Sequence, residues 1–154
     1  DAGYPTVRVA TRDVTSCDHG AFEMADFVWE IEDTYARALK GVDTVFCALP
    51  LTKDAVTRFP AFLRECRRAR VRNIVKLSFY HAREGEGRFK DVPLVQSHGM
   101  CDHLLAEEGE FNYTILGASH FMSNPMVFQG AELRRKVGND GAVFYYGAGP
   151  KAVK

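Results

Sequence analysis

Short apolar segments rich in β-branched and aromatic residues alternate along the chain with segments whose apolar residues recur at helical spacing. The apolar segments predict strands at 7–11, 21–28, 44–49, 73–79, 111–116 and 143–146. The helical spacing predicts helices at 31–40, 53–70, 97–109 and 124–136. Strands that are apolar on both faces and alternate with helices are typical of a parallel sheet built from βαβ units. We therefore predict an α/β fold with a doubly wound parallel sheet.

Local signals predict how the helices begin and end and which side chains they bury. Gly41 is expected to end the first helix, and Ser97 is expected to cap the third. In the fourth helix, Pro125 must lie in the first turn. The side chains expected to face the core are Val56, Phe59, Leu63 and Cys66 on the second helix, and Met100, Cys101, Leu104 and Leu105 on the third.

Length and charge restrict the class of protein. The chain has 154 residues, which is the size of one domain. Its 20 basic residues balance 20 acidic residues, so broad electrostatic binding to nucleic acid or to an anionic membrane is not expected. No apolar run approaches the ~20 residues that span a bilayer. No signal-peptide pattern opens the chain, so we expect a cytoplasmic protein.

The cysteines favour reduced, structural thiols. None of Cys17, Cys47, Cys66 and Cys101 forms a CxxC pair. His98 and His103 flank Cys101 and Asp102, which could suggest a metal site. However, a spacing of five residues points the two histidines in different directions on a helix, so we predict no metal.

Five segments occur in an order and at a spacing that together resemble a known family. They are Gly41–Phe46 (GVDTVF), Asn73–Ser78 (NIVKLS), His98 with Asp102, Tyr113–Leu116 (YTIL) and Phe121–Asn124 (FMSN). The chain resembles the NmrA-like branch of the atypical short-chain dehydrogenases, which are NAD(P)-binding Rossmann proteins. The resemblance covers nearly all of this chain but only the middle of the family's domain. It implies that residues 1–154 form a single, partial NAD(P)-binding Rossmann-like domain.

The glycine-rich turn with which such domains open is absent. In that turn, backbone N–H groups meet the cofactor pyrophosphate at a helix N-terminus. The sequence contains no GxGxxG, and Gly85-x-Gly87 and Gly147-x-Gly149 lack the third glycine. The strand at 7–11 therefore resembles the family's second strand, and the first βα unit is expected to be missing. We expect two exposed strand edges and weak cofactor binding as a result.

Arg12 indicates which dinucleotide the family resemblance implies. It follows the strand at 7–11, where an acidic residue would bind the ribose 2′-hydroxyl and an arginine suits a 2′-phosphate. NADP(H) is therefore favoured over NAD(H), although Asp13 lies next to this arginine. The alternative is a solvated arginine at a strand end.

Two further strand ends resemble cofactor-binding positions. Asp26 and Phe27 end the second strand, at a family position close to the adenine, where a carboxylate can accept from the exocyclic amine. The alternative is a surface aspartate beside a core phenylalanine. Ala48, Leu49 and Pro50 close the third strand at the carboxyl edge, where small and apolar residues let a cofactor ribose approach the backbone.

The strand at 73–79 carries two polar residues on one face. Lys76 interrupts an apolar pattern, and a buried lysine is costly unless it is paired. It could reach a cofactor ribose or phosphate, or extend its amine to solvent. Ser78 faces the same side and resembles the strand-end serine that polarises a substrate carbonyl in conventional short-chain dehydrogenases. It is therefore a candidate catalytic residue.

Those relatives also use Tyr-x-x-x-Lys for proton transfer, and no tyrosine here is followed by a lysine at that spacing. His98 and Asp102 occupy the spacing instead. On a helix they share a face, where Asp102 could orient His98 or raise its pKa. A general acid role for His98 is one reading, and contact with the cofactor or helix stabilisation is the other.

Phe121 and Asn124 lie in a segment that resembles the family's cover over the nicotinamide. The family usually has Arg-Pro before that segment, whereas this chain has Gly117-Ala118, which removes a charge and a rigid turn. This departure puts conventional catalysis in doubt.

Three functions follow from the resemblance. The first is an NADP(H)-binding, NmrA-like reductase that acts on a small carbonyl or quinone-like substrate. The second is a non-catalytic, redox-sensing regulator that binds NAD(P). The third is a structural or assembly subunit that binds the nucleotide weakly or not at all, within an oligomer or beside a protein partner.

Overall fold

The structure, a computed structural model, describes residues 6–15, 22–50, 54–87 and 90–118. The helix predicted at 124–136 and the strand predicted at 143–146 lie outside these residues. So do Cys17, Phe121 and Asn124.

The described residues form five strands and three helices, and strands and helices alternate from β2 onward. The strands are Arg8–Thr11 (β1), Glu23–Asp26 (β2), Thr44–Ala48 (β3), Asn73–Phe79 (β4) and Asn112–Ala118 (β5). The helices are Asp33–Leu39 (α1), Ala55–Arg68 (α2) and Pro93–Glu108 (α3). All three strand pairs are parallel. The predicted α/β fold with parallel strands is confirmed.

The strands form two sheets. β1 pairs with β2, with Arg8 opposite Glu23, and the second sheet has the order β3-β4-β5. Asn73 of β4 lies opposite Thr44 of β3 and Asn112 of β5. Within the described residues, β1, β2, β3 and β5 each have one edge without a strand partner.

The three helices share one hydrophobic core with the second sheet. α2 contributes Phe59, Leu63 and Cys66 to this core, as predicted, whereas Val56 is only partly buried. β4 alternates in burial along its whole length because its even-numbered side chains face α3. An aromatic group made of Phe27, Trp29, Tyr35 and Phe62 joins β2, α1 and α2.

β2 is shorter than the predicted strand at 21–28. Its partner β1 has only four residues, and the last bond along this pair runs from the Phe27 N–H to the Thr11 carbonyl, at 2.9 Å. The Val28 N–H instead donates to Thr34 Oγ1 at 3.0 Å. The chain therefore turns towards α1 immediately after the strand. Gly41, at a φ of 72°, follows the end of α1 as predicted.

The prediction for α3 was wrong in two respects. The helix begins at Pro93, one turn before Ser97, because proline suits a first turn whose N–H groups have no helical partner. Ser97 instead donates to the Pro93 carbonyl at 2.9 Å. Met100, expected in the core, is 56% exposed because the helix turns His98 and Asp102 inward. Apolar spacing cannot reveal an inner face that contains polar residues.

No helix in the described parts of the chain is long and apolar enough to cross a membrane.

Candidate functional site

Most of the residues singled out from the sequence lie at the carboxyl ends of strands. Arg12 follows β1, Asp26 ends β2, and Ala48 ends β3. Because the strands of each sheet are parallel, these ends lie at the same edge of their sheet. In open α/β sheets, ligands bind outside this edge.

The end of the two-stranded sheet is polar and accessible. Arg12 is exposed, and Asp26 forms a loose ion pair with Arg37 at 3.5 Å. Asp13, next to Arg12, accepts from the backbone N–H and the hydroxyl of Thr15, at 2.9 and 2.6 Å. The Asp13 carboxylate next to Arg12 is therefore hydrogen-bonded to the turn that follows β1.

Phe27 packs into the protein rather than lying free at the edge. Its ring stacks on Tyr35 with centroids 5.0 Å apart and meets the edge of Phe62. This arrangement corresponds to the alternative of an exposed aspartate beside a core phenylalanine. After β3, Ala48 is exposed, Leu49 is buried and Pro50 is half-buried.

A buried ion pair joins β4 to α3. Lys76 Nζ lies 2.6 Å from Asp102 Oδ1, and both side chains are almost completely buried. The other oxygen of the carboxylate, Oδ2, accepts from Ser78 Oγ at 2.5 Å. Lys76 and Ser78 reach the same carboxylate because residues two apart on a strand point to the same face.

The other contacts of Lys76 are also with protein atoms. Its ammonium lies 3.4 Å from the His98 carbonyl and 3.5 Å from the Leu77 carbonyl. The ammonium is buried among protein groups and therefore does not extend to solvent. The cost of burying the charge is offset because a carboxylate and two carbonyl groups surround the ammonium.

His98 lies beside the ion pair as a neutral imidazole. Its Nδ1 atom is 3.5 Å from Lys76 Nζ, and its ring meets the ring of Phe79 edge to face. Burial, followed by the Lys76 charge, lowers the pKa of His98 to about 4, although Asp102 and a Leu77 backbone hydrogen bond act in the opposite direction. The sequence suggested that Asp102 could raise this pKa, and the two larger effects outweigh that contribution.

Lys76, Ser78, His98 and Asp102 form a group here called the buried polar cluster. Next to His98 on α3, Gly99 makes a close contact with the loop after β4. A Cβ atom at Gly99 would lie only 2.2 Å from the Ala82 carbonyl oxygen, so glycine is required at that helix position. Within the cluster, Ser78 keeps only 3% of its surface exposed.

Sequence reasoning identified all four members of this cluster but missed the partner of Asp102. The spacing on the helix linked Asp102 to His98, whereas in the structure its carboxylate binds Lys76 and Ser78. The available signal was a charged residue in the middle of an apolar strand, which requires an opposite charge from another element.

Three thiols lie in the hydrophobic core. Cys47, Cys66 and Cys101 are free and buried. Burial raises the pKa of Cys47 to about 12 and that of Cys101 to about 11, so both are neutral thiols at physiological pH. Among the described residues, no group of three or more histidine, cysteine or acidic side chains is arranged to hold a metal ion.

Comparison with solved structures places this fold among Rossmann-like α/β proteins. The chain superposes on Citrobacter sp. triphenylmethane reductase, crystallised with NADP(H), with a TM-score of 0.67 and 18% identity over 85% of this chain. It superposes on a Staphylococcus aureus nucleoside-diphosphate-sugar epimerase with a TM-score of 0.69 and 16% identity over 84% of this chain. For an Escherichia coli NADPH-dependent quinone oxidoreductase crystallised with NADPH, the TM-score is 0.65 and the identity 18% over 84% of this chain.

The chain spans less than half of each of these proteins: 46% of the first two and 45% of the third. No protein-family model and no curated protein matches the sequence. At these identities the comparisons define the fold class, a Rossmann-like α/β domain.

Proposed function

We propose that this chain forms the nucleotide-binding part of an NADP(H)-dependent, NmrA-like oxidoreductase of the atypical short-chain dehydrogenase type. Its substrate is a small carbonyl or a quinone-like compound, and it acts in the cytoplasm. The observation that carries the proposal is the set of predicted binding residues at the carboxyl ends of parallel strands. Similarity in fold to reductases crystallised with NADP(H) supports it.

In this proposal, the two sheets bind different halves of the cofactor. A dinucleotide lies across the carboxyl edge of an open α/β sheet, with one half over each group of strands. In this proposal, exposed Arg12 binds the 2′-phosphate of NADP(H), and Asp26 with Phe27 lies at the adenine. Ala48, Leu49 and Pro50 pass below the ribose.

The nicotinamide half then lies over the end of β4. In this proposal, Ser78 and His98 form the catalytic end of the site. Phe121 and Asn124 lie outside the described residues and are kept as candidate cofactor contacts from the family resemblance. Lys76 supports this end of the proposed site indirectly. Its ammonium binds Asp102, and the same carboxylate accepts from Ser78.

A titration with NADPH and NADH tests the cofactor assignment. Saturation-transfer NMR is suitable because the sequence lacks the glycine-rich turn and binding is expected to be weaker than micromolar. We expect NADPH to bind several-fold more tightly than NADH. Arg12→Ala should abolish this preference, because the 2′-phosphate loses its cation.

Arg64→Ala is the matched control. Arg64 is a half-exposed arginine on α2 that pairs with Glu32 at 3.7 Å, so its removal should leave the preference unchanged. The assignment is wrong if the unmodified chain binds both nucleotides equally or neither of them at millimolar concentration.

A non-catalytic regulator is the second candidate, and the state of His98 favours it. A neutral, buried imidazole is a poor proton donor, and the sequence has no Tyr-x-x-x-Lys to replace it. Loss of NADPH absorbance in the presence of a simple quinone or aldehyde would support the reductase. Binding of NADPH with no oxidation by either substrate would support the regulator.

A further inference from the structure

We propose that the free edge of β2 is a docking site for an extended, acidic segment of a partner protein, which pairs with β2 as an added strand. The site is independent of the proposed function, because it consists of β2 backbone groups and α1 side chains and requires no nucleotide. An added strand gains affinity from main-chain hydrogen bonds and specificity from the side chains beside the edge.

The first observation is an open groove at this edge, here called the β2-edge groove. It has a volume of about 340 Å³ and is lined by all four residues of β2 and by Arg8, Arg37 and Lys40. Ligand sites typically have volumes of about 300–1,000 Å³. Consecutive residues of a strand point to opposite faces, so a space that all four line lies at the edge of the strand rather than over one face. β1 occupies the other edge.

The second observation is the direction of the β2 backbone groups. The N–H groups of Glu23 and Phe27 donate to carbonyls of β1 and of the residue before it, at 3.0 and 2.9 Å. Backbone groups alternate in direction along a strand, so Met24 and Asp26 direct their N–H and C=O groups away from β1. These groups therefore point to the edge where the groove lies.

The protein uses the next backbone donor of the same series. The Val28 N–H, which also points away from β1, donates to Thr34 Oγ1 of α1 at 3.0 Å. The backbone groups of Met24 and Asp26 have no such partner in the described parts of the chain. An unpaired row of this kind is a template for a further strand.

The charge beside the edge indicates which segment binds there. Arg37 and Lys40 lie three residues apart at the end of α1, and therefore on the same side of the helix. Arg37 is 72% exposed and only loosely paired with Asp26, at 3.5 Å. Lys40 is exposed and forms no ion pair with any described residue. Both cations are available to a ligand, so acidic side chains are attracted to the groove and basic ones are repelled.

A second copy of this chain is a poorer occupant than a separate acidic segment. The acidic side chains of β2 are already paired within the chain, Glu23 with Arg8 at 2.9 Å and Asp26 with Arg37 at 3.5 Å. Two copies that met through β2 would have to give up these pairs to bind each other's cations. A separate segment brings its own carboxylates.

Fluorescence anisotropy with a labelled, terminally blocked peptide tests the proposal. A length of about six residues spans the four residues of β2. The peptide alternates valine and glutamate, which places its carboxylates on one face. We expect a Kd below about 100 µM, and the same peptide with lysine in place of glutamate should bind at least about tenfold more weakly.

Methylation of the peptide backbone separates strand pairing from simple charge attraction. N-methyl groups on alternate amides remove every second N–H donor and leave the charge of the peptide unchanged. One of the two alternating patterns should abolish binding, because its amides face β2, and the other should have little effect.

Two variants of the protein locate the site. The Met24 N–H points away from β1, so Met24→Pro removes an edge donor without removing a bond to β1, and peptide binding should be lost while the circular dichroism is retained. Lys40→Glu should weaken binding of the acidic peptide about tenfold. Lys90→Glu makes the same charge change at another exposed lysine and should leave binding unchanged.

Four results would overturn the inference. They are no binding at about 1 mM acidic peptide, equal binding of the lysine peptide, equal losses with both methylation patterns, and equal effects of Lys40→Glu and Lys90→Glu. Ultracentrifugation that shows a dimer which Met24→Pro dissociates would also overturn it, because the edge then binds a second copy. Binding of NADPH is measured separately, so failure of the proposed function is distinguished from each of these results.

Discussion

Breaking the Lys76–Asp102 pair should cost far more free energy of unfolding than replacing both partners. Lys76→Met leaves a buried carboxylate without a cation, and Asp102→Asn leaves a buried ammonium without an anion. Removing one partner of a buried ion pair costs about 3–5 kcal/mol. Because small domains are stable by only about 5–15 kcal/mol, each single variant should lose a large part of its stability.

The double variant Lys76→Met/Asp102→Asn contains no buried charge. Its remaining cost is an amide oxygen without its former donor, about 1–3 kcal/mol. The two single losses sum to roughly 6–10 kcal/mol, so the coupling between the sites should be at least about 3 kcal/mol. Urea unfolding of the four proteins, followed by circular dichroism, measures this double-mutant cycle.

A surface pair provides the matched comparison. Arg64 and Glu32 lie 3.7 Å apart with both side chains about half exposed. Arg64→Met and Glu32→Gln should each cost about 0–1 kcal/mol. Single losses below about 1 kcal/mol at Lys76 or Asp102, or a double variant as unstable as the sum of the singles, would refute the argument that the charges are mutually dependent.

Three further predictions follow from neighbouring contacts. Gly99→Ala should lower the free energy of unfolding by about 1–3 kcal/mol or more, because its Cβ would overlap the Ala82 carbonyl. Met100→Ala, at the next position on the exposed face, should cost far less. Equal losses of the two variants in urea unfolding would contradict this prediction. The pKa of His98 falls from 6.5 to about 4 on folding, so the unfolded chain binds more protons and stability should decrease as pH falls through this range, by up to about 3 kcal/mol. The decrease should be smaller in His98→Gln, and an identical pH dependence in the two proteins would disprove it. Tyr35→Phe should cost about 1–2 kcal/mol, since the hydroxyl donates to the Trp29 carbonyl at 2.5 Å in the core; a thermal melt unchanged from the parent would show that this bond contributes nothing.

The elements with the strongest local patterns were predictable from the sequence. β4 has the bounds that its apolar pattern predicts, Asn73–Phe79, and Gly41 ends α1 as expected. Strands that have no polar face must be covered on both sides of the sheet, and helices that have one polar face can provide that cover. This combination is typical of parallel strands in an α/β fold. The fold class follows from that requirement. The period of two along a strand likewise placed Lys76 and Ser78 on one face.

Boundaries that depend on a partner were less predictable. β2 ends where β1 runs out of residues to pair with, and α3 begins at a proline that the pattern did not mark as a helix start. Both errors have the same origin, because the limits of an element are set by what the neighbouring elements and turns can satisfy.

The buried polar cluster shows what only the tertiary structure decided. The sequence determined that a lysine and a serine would lie on one face of a buried strand, and that the lysine would need an anion. Which anion it obtains depends on how the crossover lays α3 over β4, and Asp102 is 26 residues away from Lys76 along the chain. Local spacing favours i,i+4 pairs because they form in the helix alone. In the folded protein the Asp102 carboxylate instead pairs with the buried Lys76 ammonium. An unpaired charge in the core is far more costly than an unpaired residue on a helix surface.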